Sequence, residues 1–245
     1  WDAFADGIRR FNELNIHETN KWDVYAKCDN IALNSMAQAF WRIYMYQQGA
    51  NKHFEREAKV IWKYFEKCLK KDIRPFKYRH RALAWSCGST YYDSATCWLY
   101  QCWGILTVIN MDSLTGHNIV DTEDRDEMMS DIADLYARSP MRTHTVGGNR
   151  HILMMFETAA KFNCDMIVMY DDIGCKGMAG CQGLLEEEFR KHPEFHIMWM
   201  PHALMDCRTV PTAEARKVVN DYMTTVLHEE PVDPSLMDFD DSEGW

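Results

Sequence analysis

Apolar residues recur at helical spacing in the first third of the chain. Two runs share this spacing, one comprising Met36, Ala39, Phe40, Ile43 and Tyr44 and the other comprising Ala58, Ile61, Trp62, Phe65, Cys68 and Leu69. Pro75 cannot continue a helix and disfavours helical geometry at the residue before it. The pattern therefore predicts a helical connector segment over residues 1–80.

The pattern changes after residue 80, where short apolar runs alternate with amphipathic segments. The runs predict strands at 82–86, 105–111, 166–170 and 196–200, and the longer segments predict helices at 93–103, 123–137, 149–162, 184–192 and 212–227. Strands separated by helical crossovers are typical of a parallel sheet covered on both faces. We therefore predict an α/β fold with a small, doubly wound, four-stranded sheet over residues 81–228, followed by an irregular acidic tail over 229–245.

The predicted topology indicates where a ligand would bind. Open α/β sheets bind ligands beyond the carboxyl ends of their strands, where the strand order reverses. With the order second-first-third-fourth, that point lies between the first and third strands. The segments that leave these strands, 86–92 and 171–177, each place a cysteine beside a glycine.

Composition and charge narrow the class of protein. The 245 residues are 47% hydrophobic and 26% charged, with a net charge of −10, which is typical of a soluble globular protein. An acidic chain is a poor partner for nucleic acid or an anionic membrane surface. The longest apolar run spans about 14 residues, too short to cross a bilayer. Because nine scattered cysteines do not form the dense framework of a small secreted domain, we predict reduced thiols and a cytoplasmic location.

The most informative segment is DDIGCKGMAGCQG at residues 171–183. Helix N-termini and nearby lysines favour the thiolate form of cysteine, which binds iron and attacks electrophiles. Cys175 is therefore a candidate metal ligand and Lys176 a candidate contact for substrate. The alternative, a glycine-rich turn with an incidental cysteine, is equally open. For Cys181 we favour a packing role.

The first strand leads into a second group of candidates. Cys87 is a possible metal ligand, and Ser89 and Thr90 either cap the next helix or bind an anionic or carbonyl group of a substrate. Near the last strand, Asp206 either pairs with Arg208 or helps to shape a pocket. Cys28, Cys164 and Cys207 have no ligand partner nearby in the sequence, and Cys68, Cys97 and Cys102 are predicted to be buried.

The chain contains no GxGxxG, Walker, HExxH or GxSxG motif, so nucleotide binding and serine hydrolysis have no positive support.

With these residues considered together, the region from about 81 to 227 resembles the C-terminal part of the 2-hydroxyacyl-CoA dehydratase and class I benzoyl-CoA reductase family. The resemblance rests on RALAWS at 81–86, CDMIV at 164–168, GCK at 174–176, Met-Pro at 200–201 and Asp206-x-Arg208. The ending beyond Leu227 is more similar to the benzoyl-CoA reductase branch.

The resemblance implies a flavodoxin-like lobe that helps to hold a [4Fe-4S] cluster, with Cys175 as the ligand from this lobe. In the family the other two cysteine ligands come from an N-terminal lobe. Three alternatives follow for this chain: the other ligands lie on another segment, Cys87 and a further thiol substitute for them, or the chain binds no complete cluster. The resemblance also implies three kinds of partner, namely a homologous iron–sulfur subunit, ATP-hydrolysing activator subunits and an acyl-CoA substrate.

The expected activity is ATP-dependent reduction of benzoyl-CoA to a cyclic dienoyl-CoA in one-electron steps. The alternatives are a 2-hydroxyacyl-CoA dehydratase subunit, in which the electron makes a ketyl radical and hydroxide leaves, and a structural lobe without a cluster.

Overall fold

The computed structural model describes residues 1–28, 52–74, 77–86, 93–111, 119–138, 149–203 and 208–238. Two long helices come first, α1 (Asp2–Ala26) and α2 (Lys52–Lys71). The alternating part follows in the order β1 (His80–Trp85), α3 (Asp93–Trp103), β2 (Ile105–Asn110), α4 (Arg125–Ala137), α5 (Asn149–Lys161), β3 (Met166–Asp172), α6 (Lys176–Phe189), β4 (His196–His202) and α7 (Thr212–Asp221). A π-helical turn (Tyr222–Val226) continues α7, and a 3-10 turn (Pro234–Leu236) lies near the C-terminus.

The four strands form one parallel sheet in the order β2-β1-β3-β4. This confirms the predicted fold class and the assumed strand order. In register, Leu83 of β1 lies beside Ile167 of β3, and Ile167 lies beside Ile197 of β4. The carboxyl ends of β1 and β3 are therefore neighbours at the centre of the sheet.

Alternate residues of each strand enter two hydrophobic cores, because side chains of a strand point to opposite faces. Leu83, Trp85 and Met169 belong to one core, and Ala82 and Val168 belong to the other. Residues of α1, α2, α5 and α6 join the first core, whereas residues of α3 and α7 join the second. Helices thus cover both faces of the sheet, as the sequence predicts.

The N-terminal helices share the first core with the sheet. Trp22 and Tyr25 of α1 and Phe65 of α2 are buried in the same cluster as Trp85. The rings of Tyr25 and Phe65 lie 5.1 Å apart between centroids. The described part of the predicted connector is therefore packed against the α/β part through side chains of both helices.

The start of the predicted C-terminal tail also contacts the α/β part. The Val232 amide donates to the Cys102 carbonyl at 2.7 Å, and the Trp98 indole N–H donates to the Leu236 carbonyl at 2.7 Å. These bonds attach residues 232–236 to α3.

Two details differ from the sequence predictions. The helix predicted at 184–192 begins much earlier, at Lys176, because Gly177, Gly180 and Gly183 lower intrinsic helix propensity without preventing a helix. Cys97, predicted to be buried, is exposed on α3. The helical spacing of α3 places Cys102, but not Cys97, on the face that packs against the sheet.

Candidate functional site

The candidate site lies where β1 and β3 end at the centre of the sheet. Trp85, the last residue of β1, pairs with Met169 of β3. The next residue, Ser86, is buried and has a φ of 74°. This left-handed conformation is uncommon outside glycine, so the chain turns sharply as it leaves β1.

The turn between β3 and α6 is fixed by backbone hydrogen bonds. The Cys175 amide donates to the Asp172 carbonyl at 2.9 Å, and the Gly174 amide donates to the Asp172 Oδ1 at 3.1 Å. The Ile173 amide donates to the carbonyl of His202, at the end of β4, at 3.1 Å. These bonds hold Cys175 at the carboxyl edge of the sheet.

Cys175 is the N-cap residue of α6, but its side chain makes no capping hydrogen bond. The side chain is half-buried and packs against the first core. A β-carbon added at Gly177 would lie 3.7 Å from the Cys175 Sγ, so the sulfur lies beside the first turn of the helix. Lys176 is exposed. The thiol is therefore partly exposed at the carboxyl edge of the sheet and lies at the positive end of a helix, a position from which a cysteine can bind a metal.

Two consecutive carboxyl groups, Asp171 and Asp172, end β3 next to this turn. Burial, and then the negative charge of Asp172, raise the pKa of Asp171. An aspartate of this kind keeps its proton at a higher pH than usual and is suited to proton donation. Sequence reasoning did not select it, although two acids directly after an apolar strand were a usable signal.

The other predicted site residues lie outside the described part of the chain. These are Cys87, Ser89, Thr90 and Asp206. Their roles stay predictions.

The remaining described cysteines are less suited to metal binding. Burial raises the pKa of Cys164 to about 12 and that of Cys102 to about 11, so both favour the protonated thiol. Cys68 and Cys102 are buried, as predicted. Cys181 is half-buried against the first core, and it forms no disulfide with Cys175.

The Cys175 thiol at the sheet edge can hold iron only together with further ligands. A thiol is the ligand type that iron–sulfur clusters use. Within the described residues, the one group of three or more potential ligand atoms close together is Glu13, His17 and Glu55, which does not include Cys175. Cys175 thus fits as one ligand, and further thiolates must come from elsewhere.

Comparison with known protein families shows to which family the chain belongs. The model of the 2-hydroxyglutaryl-CoA dehydratase D-component family matches residues 1–205. The chain belongs to this family. The match includes α1, α2 and all four strands, and it confirms the resemblance seen in the sequence. It does not separate the dehydratase branch from the benzoyl-CoA reductase branch.

No curated protein matches the chain.

No helix among the described residues has both the length and the apolar character needed to cross a bilayer.

Proposed function

We propose that the chain is a subunit of an iron–sulfur acyl-CoA dehydratase and that Cys175 is its ligand to a 4Fe-4S cluster. The observation that carries this proposal is the half-buried thiol of Cys175 at the N-terminus of α6, on the central carboxyl edge of the sheet. Membership of the D-component family supports it.

The cluster needs other protein ligands besides Cys175. We propose that Cys87, or cysteines of a second lobe, supply them, and that a homologous subunit covers the site. Two exposed apolar side chains offer contacts for such a partner: Ile173, in the turn before Cys175, is 55% exposed, and Leu184, farther along α6, is 54% exposed. A covered site excludes water and oxygen, which a low-potential cluster requires.

When bound, the cluster would supply one electron to the thioester carbonyl, the adjacent carbon would lose hydroxide and the next carbon a proton, and the electron would return to the cluster with release of the enoyl-CoA. The chain's own residues then have separate tasks. Cys175 holds iron, and Asp171 is assigned the delivery of a proton to the departing hydroxide because it lies at the end of β3, beside the turn that holds Cys175, and its pKa is raised. The exposed ammonium group of Lys176 attracts the anionic acyl-CoA. Ser89, Thr90 and Asp206 are further candidate contacts for the substrate.

ATP hydrolysis is assigned to a separate activator subunit, in agreement with the lack of a phosphate-binding motif in the sequence. Because such electron transfer needs reduced conditions, we expect the complex to work in the cytoplasm of an anaerobic cell.

A second candidate function is benzoyl-CoA reduction. It is favoured by the chain ending beyond Leu227, which is similar to the reductase branch and packs on α3 through Val232 and Leu236.

Electron stoichiometry distinguishes the two functions. The complex, purified anaerobically with its co-purifying subunits and activator, is supplied with ATP, a reductant and either 2-hydroxyglutaryl-CoA or benzoyl-CoA. A dehydratase forms many enoyl-CoA molecules for each electron consumed, whereas a reductase consumes two electrons for each dienoyl-CoA, as the loss of one aromatic double bond requires. No turnover of either thioester, together with a colourless and iron-free complex, would instead identify a structural lobe.

A further inference from the structure

A second group of potential ligands lies on the N-terminal helices, apart from the thiol at the sheet edge. Glu13 and His17 are four residues apart on α1 and therefore share one helix face. Glu55 lies in the first turn of the neighbouring helix α2. One ligand atom from each of the three side chains lies within 4.8 Å of the others.

The environment of His17 is unusual for an imidazole without a ligand. The residue is 8% exposed, and its ring stacks on Trp62 with centroids 5.8 Å apart. Its Nδ1 has no hydrogen-bond partner among the described residues, and its Nε2 lies 3.8 Å from the Glu55 Oε1, which is too far for a hydrogen bond. Nε2 is therefore the ring nitrogen that faces the Glu55 carboxylate, and a cation bound between these two atoms would be a ligand partner for this side of the buried ring.

The separation between the His17 ring and Glu55 suits two ligands of one ion. Ligand atoms bound at about 2.0–2.2 Å on adjacent positions of one metal lie roughly 3–3.5 Å apart, so a small side-chain rotation closes the site. Stacking on Trp62 already restricts the imidazole ring, which lowers the entropy lost on binding.

An open pocket of about 340 Å³ is lined by Glu13 and Glu55 and gives an ion access to these two carboxylates from solvent. Two hydrogen bonds hold one wall of the pocket in place. The Asn12 side-chain N–H donates to the Val120 carbonyl at 2.8 Å, and the Val120 amide donates to the Asn12 Oδ1 at 3.0 Å. The two arginines that line it have acidic partners of their own. Arg9 lies 3.8 Å from Glu123, and Arg10 pairs with Asp6. The carboxylates of Glu13 and Glu55 thus give the pocket a negative region.

We propose that Glu13, His17 and Glu55 form a binding site for a divalent cation of the Mn²⁺, Fe²⁺ or Zn²⁺ class. Two carboxylates and one imidazole form a mixed oxygen and nitrogen ligand set, which suits these ions. The ion joins α1 to α2, and the site is independent of the proposed cluster because it uses none of its ligands.

Mn²⁺ is the appropriate probe, because the nine cysteines would compete for thiophilic Zn²⁺. The full chain is stripped of metal with a chelator and titrated with Mn²⁺, and free Mn²⁺ is followed by electron paramagnetic resonance. We expect about one ion per chain with a Kd below about 1 mM. Glu13→Gln and Glu55→Gln should each weaken binding by more than about tenfold.

Glu66→Gln is the matched control, since Glu66 lies on the same helix as Glu55 but pairs with Lys63 at 2.9 Å. This variant should bind Mn²⁺ like the wild type, and Mn²⁺ should raise the Tm of both. Absence of saturable binding to the wild-type chain would overturn the proposal. Unchanged affinity in Glu13→Gln would do the same, and because Glu13 is exposed this variant is expected to fold.

Discussion

At the residue scale, the position of Cys175 is not explained by the local needs of its helix. Serine, threonine, aspartate and asparagine are preferred at N-caps because their oxygen accepts an amide hydrogen bond, whereas the Cys175 side chain makes no capping bond. A core-packing role accounts only for its buried half, since the residue is also partly exposed at the sheet edge. A ligand role accounts for both features.

Asp171 gives a prediction at the same scale. Asp171→Asn removes the proton that the proposed reaction delivers to hydroxide, so we expect the turnover rate to fall about 10²-fold or more. In the wild type, the rate should decline as the pH rises through the raised pKa of Asp171, because the carboxyl group then loses its proton.

Initial rates of the activated complex between pH 5 and 9 measure both effects, and iron content shows whether the cluster is retained. A variant as active as the wild type, with the same pH profile, would exclude Asp171 as the proton donor.

The sequence selects Cys175 as a candidate more readily than Asp171. A cysteine in a glycine-rich segment before a helix is visible as a local pattern. The acid pair after β3 is also visible, but the raised pKa of Asp171 depends on its burial in the folded chain. The roles of Cys87, Ser89, Thr90 and Asp206 stay predictions because they lie outside the described residues.

At the element scale, alanine substitutions at two glycines of α6 distinguish an effect on helix stability from an effect on access to the Cys175 thiol. A β-carbon at Gly177 would contact the Cys175 Sγ at 3.7 Å, whereas one at Gly180 would meet no atom within 4 Å. Gly177→Ala and Gly180→Ala should both raise the free energy of unfolding, by about 0.5–1 kcal/mol, because alanine favours helix.

Only Gly177→Ala should slow modification of Cys175 by iodoacetamide, since its methyl group covers one side of the sulfur. Mass spectrometry of the alkylated peptide measures this rate. Equal rates in the two variants would show that the Cys175 sulfur points elsewhere.

A second element-scale feature joins the start of β1 to the C-terminal segment. His80 Nδ1 lies 2.8 Å from Asp165, and Nε2 lies 2.9 Å from Glu229. The hydrogen bond with Asp165 raises the pKa of His80, with burial opposing it and Glu229 adding to it. Burial acts to raise the pKa of Asp165, but hydrogen bonds from His80 and the Arg81 amide outweigh burial, so the pKa of Asp165 is lowered.

These shifts predict how stability depends on pH. Because folding raises the pKa of His80, the stability that His80 contributes to the folded chain is complete below about pH 6.5. This stability is lost as the pH rises through the raised pKa. The contribution of Asp165 is present above about pH 3.9 and is lost as the pH falls through its lowered pKa.

The free energy of unfolding of His80→Gln should be lower than that of the wild type by about 2 kcal/mol at pH 6. The difference should shrink toward pH 9. Urea denaturation at a series of pH values provides the measurement, with exposed His53→Gln as the control. A difference that stays constant with pH would contradict the account.

Much of the element pattern could be predicted from the sequence. The apolar runs located all four strands. β1, β2 and most of β3 are continuously buried because both faces of the sheet are covered there, whereas β4 alternates between buried and more exposed positions. The start of α6 at Lys176 could not be located, since packing of Leu185 and Cys181 against the core outweighs the low propensity of three glycines. Burial of individual positions was also harder to predict, as the exposure of Cys97 shows.

At the scale of the whole molecule, one hydrophobic core joins the N-terminal helices to the sheet. Phe65 of α2 is fully buried beside Tyr25 of α1, in the cluster that also contains Trp85 of β1. The boundary predicted near residue 80 separates two sequence patterns, and side chains from both sides of it share this core.

Phe65→Ala should therefore lower the free energy of unfolding of the whole chain by about 3–5 kcal/mol. Unfolding followed by helical circular dichroism and by tryptophan fluorescence should give the same midpoint, because the helices and the sheet unfold together. Exposed Tyr64→Ala is the neighbouring control. Two separate transitions, with only the helical signal shifted by Phe65→Ala, would contradict a shared core.

The identity of the Cys175 ligand decides the functional account most directly. Cys175→Ser preserves the N-cap, because serine is a favoured residue there, so the fold should be retained while a thiolate is lost. Cys181→Ser, also half-buried against the core, is the matched control. The decisive measurement is iron and acid-labile sulfide in the complex purified anaerobically with each chain. The account predicts that the complex with Cys175→Ser contains about four irons and four sulfides fewer than the complexes with the wild type and with Cys181→Ser, which should be equal. Undiminished iron and sulfide in Cys175→Ser would contradict it.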